Sequence, residues 1–174
     1  MGKISVDRFL REYSVADKQN GSAMETFIKK HIVTDYVDYI TKNVYCDSII
    51  NSTCYVKDGD KKLVKFNSAT RYVFFNMKLI ELYTDIEINA DDLIGEYDKL
   101  NKSGAVHNII AMIPDFEYSE FRMLLDMKLD DLRDNEYSIT ALLSNLKESF
   151  SLFEEVINEV LQNPEVQKII NNKE

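Results

Sequence analysis

Carboxylates are the most abundant reactive side chains in this chain, and they cluster. Residues 115–136 hold eight acids (Asp115, Glu117, Glu120, Asp126, Asp130, Asp131, Asp134 and Glu136) against three bases. Asp126 and Asp130 are four residues apart, as are Asp130 and Asp134, so on a helix they share one face. Asp131 stands beside them. Like charges at that spacing cost a few tenths of a kcal/mol each unless something offsets them. Three kinds of chemistry fit such a face. Divalent cations favour carboxylate oxygens. A basic partner protein is steered by a negative surface. A row of carboxylates can also mimic nucleic-acid phosphates and block a nucleic-acid enzyme. The plain alternative is a solvated helix face, partly neutralised by Lys128 and Arg133.

Other reactive types are sparse. His31 and His107 stand in no HExxH or similar ligand spacing. His31 shares an apolar helical stripe with Phe27 and Ile28, which predicts a packed or rim histidine. His107 falls in a first helical turn. Cys46 and Cys54 are too far apart for a paired CxxC metal knuckle. Nothing around them suggests an activated thiolate, so they read as half-buried small hydrophobes. The motifs GxSxG, GxxxxGK[ST] and GxGxxG are absent, and the five glycines are scattered. No catalytic residue, cofactor site or metal site is therefore expected, and the chain reads as non-enzymatic.

Composition agrees. The chain has 174 residues, 30 acids against 21 bases and a net charge of −9. A phosphate-backbone binder needs a basic face, so direct nucleic-acid binding is not expected. The same excess argues against an anionic membrane surface. No apolar run approaches transmembrane length and no secretory signal is visible, which suggests reduced, intracellular thiols. Met1-Gly2 is only a weak match to a myristoylation start.

The elements that must position these residues are mostly helical. Apolar spacing predicts helices over about 5–13, 22–32, 36–51, 69–83, 91–102, 106–113, 115–134 and 139–162. Ser5, the Ser22/Glu25 capping-box pair, Thr34 or Asp35, Asn67 or Ser68, Asn89 or Asp91, and Ser138 are the expected caps. Gly104 sits where a C′ glycine belongs, and Asn135 is expected to break the helix before it. Asp58-Gly59 is a strong hairpin signal, so 54–66 reads as an isolated β-hairpin. Thr84–Ile88 reads as an extended link. The helix at 69–83 is apolar on most sides, so Tyr72, Phe75 and Leu79 belong to a central core or to a subunit contact. The fold expected is mostly α: about seven helices around one small hairpin, roughly two-thirds helix. Residues 1–162 are expected to form one domain, followed by a helical tail at 163–174, where Pro164 suits a helix start.

Four stretches carry a resemblance: TDYVDYITK (34–42), NSATRYVFFNMKLIELYTDIEI (67–88), GEYDKLNKSGAVHNIIAMIP (95–114) and YSEFRMLLDMKLDDLRDNEYSI (118–139). Together they resemble a family of small acidic proteins of tailed bacteriophages and prophages of Gram-positive bacteria. The matching motifs are packing patterns, so no catalytic residues carry over. The resemblance implies a virion structure or assembly protein of head–tail connector or adaptor type. Its partners would be portal or tail components and further copies of itself. Its location would be the host cytoplasm during assembly and then the virion. The other reading is a phage-encoded acidic inhibitor, of anti-CRISPR or DNA-mimic kind, that binds a host nucleic-acid-binding enzyme.

Overall fold

The structure is a computed structural model that describes residues 2–19, 21–58, 61–137 and 139–162. Among the described residues it is mostly helical. Two compact units are present, residues 1–129 and residues 130–174.

The first unit opens on a two-residue strand, β1 (Ile4–Ser5), which runs into α1 (Val6–Asp17) and α2 (Gly21–His31). Helix α1 continues past the expected end at Tyr13. Ala16 is buried in register with Val6, Phe9 and Tyr13, so the apolar stripe carries the polar turn with it. Ser22 lies inside α2 and not at its cap, and Glu25 pairs with Lys29 instead. Helix α3 (Tyr39–Thr53) begins later than the spacing suggested. Asp38 is the cap, and its carboxylate accepts both the amide and the hydroxyl of Thr41. Tyr36 and Val37 therefore lie in the link before the helix, where Val37 is buried.

The hairpin forms as expected. Strands β2 (Tyr55–Asp58) and β3 (Lys61–Val64) pair antiparallel, with Asp58 opposite Lys61. Asn67 then caps α4 (Ser68–Tyr83) through the Thr70 amide. The stretch after it is more than a link. β4 (Ile86–Glu87) pairs in parallel with β1, and Ile32 bridges to Thr84. Thr84, Asp85 and Ile86 are all buried. Two-residue strands have too few residues to show a period, so sequence patterning does not reveal this ribbon. Asn89 caps a 3-10 turn at Ala90–Asp92, and α5 (Leu93–Lys102) follows. Gly104, at φ 75°, lets the chain turn sharply from α5 into α6 (Ala105–Ile110). Pro114 then precedes α7 (Asp115–Tyr137), and its carbonyl accepts the Glu117 and Tyr118 amides.

Two apolar layers meet on α4. One gathers Phe9, Ile28, Met77, Ile80, Ile86, Leu100 and Ile109 from α1, α2, α4, β4, α5 and α6. The other joins α3, α4 and α7: the Phe75 ring stacks on Phe121 at 5.3 Å and meets Tyr118 edge-on at 5.7 Å. A helix that is apolar on most sides is here the central post of its unit. Phe75 and Leu79 are core residues, while Tyr72 is 62% exposed.

The second unit holds the end of α7 and all of α8 (Ile139–Gln162). Asn135 does not break α7, which runs on to Tyr137. Among the described residues there are eight α-helices, one for each stretch spaced as a helix and in keeping with the expected count of about seven. The expected cap Ser138 and the tail 163–174 lie outside the described residues.

Candidate functional site

The aspartate row falls on α7, and the structure sorts it. Asp126, in the first unit, is exposed and lies 3.8 Å from Arg122, one turn earlier. Asp130, Asp131 and Asp134, in the second unit, are exposed, and Asp130 pairs with Arg133 at 3.3 Å. All four face water. Two other acids of the same stretch do not. Glu117 is fully buried and Glu120 is half-covered, and both turn toward α3. The exposed negative field is therefore smaller than the sequence count implies.

What Glu117 and Glu120 meet is Lys42 of α3, whose side chain is fully buried. Lys42 Nζ hydrogen-bonds Glu120 Oε2, and it lies 2.9 Å from Glu117 Oε1. The other oxygen of Glu117 accepts the Tyr83 hydroxyl at 2.6 Å and the Val37 amide at 2.9 Å. One carboxylate thus ties together α3, α4, α7 and the link before α3. Burial disfavours the Lys42 cation, but its hydrogen bonds to Glu120 and Glu117 outweigh that and raise its pKa. Burial likewise disfavours the Glu117 anion, yet the bonds from Tyr83, Lys42 and Val37 win and lower its pKa. Burial, reinforced by the Glu117 charge, pushes the Tyr83 phenol up. A lysine held protonated and a carboxylate with its proton kept off make a poor acid and a poor base at neutral pH. The cluster is a clamp between helices.

A second buried pair joins α2 to the segment before β4. His31 Nδ1 donates to Asp85 Oδ1 at 2.8 Å, with both side chains 6% exposed. His31 Nε2 is buried without a hydrogen-bond partner. The ring meets Phe27 edge-on at 4.7 Å and Phe9 at 5.3 Å. An imidazole oriented by a carboxylate is half of a base-and-orienter arrangement. Here it is enclosed by aromatic rings, so it acts as a packed histidine, as its place on the apolar stripe suggested.

The thiols are buried more deeply than their sequence context implied. Cys46 and Cys54 are both free and fully buried. Burial pushes the Cys46 thiol up to about 11, which leaves little thiolate at neutral pH. Among the described residues, no group of three or more His, Cys, Asp or Glu is placed to hold a metal ion. Among the same residues, no helix is long and apolar enough to cross a membrane.

The surface is more telling than the interior. A groove of about 270 Å³ runs between α4 and α7, with Tyr72, Arg71, Arg122 and Asp126 on its rim. On α8, Leu143, Leu146, Phe150, Phe153 and Ile157 are 41–69% exposed. In sequence these residues belong to one apolar stripe, and the structure leaves them facing water. No protein-family model, curated protein or solved structure matches this chain.

Proposed function

We propose that the chain is a non-enzymatic protein that works through protein–protein contacts, as a structural or assembly component of a tailed phage. The head–tail connector or adaptor role is the form of this reading that the sequence resemblance favours. The observation that supports contact as the mode of action is the row of large apolar side chains left in water along α8. Contiguous exposed apolar surface of this kind marks an interaction site. The partners expected are portal or tail components and further copies of this chain, not nucleic acid or membrane. The test is co-purification from infected or induced cells. Association with particles, portal or tail proteins is the expected result. A chain that stays monomeric and never travels with particles ends the reading.

A second reading rests on a different observation, the exposure of Asp126, Asp130, Asp131 and Asp134. An acidic inhibitor would present such carboxylates to the basic cleft of a host nucleic-acid-binding enzyme. Capture of a nuclease or polymerase from host lysate, in place of phage components, favours it. Binding of that kind weakens steeply as salt rises.

A further inference from the structure

We infer that α8 pairs with α8 of a second copy of this chain, and that the two helices run antiparallel. This deepens the protein-contact reading and rests on it. Among the exposed apolar residues of α8, Leu143, Leu146, Phe150, Phe153 and Ile157 are spaced 3, 4, 3 and 4 apart, with Leu152 and Val156 exposed outside that row. That is the a/d spacing of a heptad seam, which is satisfied by a helix of the same period. The sequence carries the same spacing outward to Ile139 and Val160. The two phenylalanines, 69% and 64% exposed, offer roughly 250 Å² per chain, about a third of a standard interface's share for one partner. The leucines and isoleucine of the same row add to it. A seam of this kind is self-complementary, as a two-fold contact requires.

Charge selects the direction. Lys147 is the sole cation between Ile139 and Gln162, against the acids Glu148, Glu154, Glu155 and Glu159. Lys147 and Glu154 both fall at the e position, flanking the seam. Within α8, neither has an opposite charge three or four residues away. In a parallel pair, e positions face g positions, so Glu154 meets Ser149 and Lys147 meets no acid. In an antiparallel pair, e faces e. When Phe150 packs across from the second copy's Phe153, and Leu146 across from its Ile157, Lys147 of each helix falls beside Glu154 of the other. The two-fold axis makes this contact twice. Antiparallel helices also set their dipoles against each other favourably.

The experiment is sedimentation equilibrium on the full chain over a wide concentration range, with helix content and thermal melt as controls. A dimer is expected for the natural sequence. Phe150→Glu is expected to give a monomer with the melt of the first unit retained. If that variant loses its fold, the charge variants carry the test. Lys147→Glu alone and Glu154→Lys alone should each raise the dimer dissociation constant roughly tenfold. The double reversal Lys147→Glu/Glu154→Lys should restore it. A natural chain that is monomeric throughout overturns the proposal. So does a dimer indifferent to Phe150→Glu, or single reversals that the double does not rescue. A monomer that still captures phage components refutes self-pairing and leaves the contact reading standing. A dimer that captures none does the reverse.

Discussion

Lys42 shows how much a single residue can hold while doing no chemistry. Removing one member of a buried ion pair strands the other, which costs about 3–5 kcal/mol. Lys42→Met is therefore expected to destabilise by about that much, read from urea unfolding. The double variant Lys42→Met/Glu117→Gln should lose far less than the sum of the singles, because no fully buried charge is stranded and the half-exposed Glu120 can be hydrated. The pH dependence follows from the shifts. Glu117 has a folded pKa below its ordinary 4.5, so the unfolded chain takes up that proton first as pH falls. Its contribution is complete above about 4.5 and drains away as pH drops through the folded value. Lys42, raised above 10.5, contributes fully below that value and loses its contribution as pH climbs past it. Unfolding titrations of Glu117→Gln should show a shallower acid limb than the natural chain. Phe75 belongs at the same scale. Enclosed by Phe121 and Tyr118, it should cost about 3–5 kcal/mol as Phe75→Ala, with self-association unchanged. The exposed Tyr72 should cost less than about 1 kcal/mol as Tyr72→Ala, since its ring meets Tyr97 only edge-on.

Elements built on a long stripe were legible in the sequence, and those built on two or three residues were not. The apolar run of α4 announces a buried helix, and Asp58-Gly59 announces the hairpin, because each uses a local rule that tertiary packing does not override. The β1–β4 ribbon has no such rule. Its pairing is set by where α1 and α4 bring their ends, which no window of sequence contains. The start of α3 moved for a related reason: Val37 is held in the link before the helix by a bond from its amide to Glu117, eighty residues away. The Lys42 clamp was invisible because a lysine between Thr41 and Asn43 reads as surface. The stripe of α8 was legible as a stripe, but periodicity does not say what covers it. Gly104 offers a sharp check at this scale. Its φ of 75° lies in the left-handed region, and there is open space where a Cβ would sit. Gly104→Ala should therefore destabilise through backbone strain alone, by about 1–2 kcal/mol, visible as a lowered melting midpoint.

At the scale of the whole molecule, an acid excess of nine is distributed unequally between inward and outward uses. Glu117 is spent on the clamp, Lys128 is paired with Asp47, and Asp130 with Arg133. Asp126, Asp130, Asp131 and Asp134 still face outward on α7, as does Asp115 at its start. The double variant Asp130→Lys/Asp134→Lys moves the net charge from −9 to −5, since each exchange adds two. It removes Arg133's carboxylate at Asp130 and places a like charge there, a cost of only a few tenths of a kcal/mol. Both sites are exposed, so the melt should stay nearly unchanged. Binding then separates the two functional readings. If the aspartates are a docking face, captured partners should be lost, and the natural chain's binding should weaken steeply with added salt. If α8 is the contact surface and the aspartates only face water, the variant should keep its partners, and moderate salt should leave its apolar seam intact. Phe150→Glu should give the opposite pattern in the same assay, so the pair of variants assigns the binding to one helix or the other.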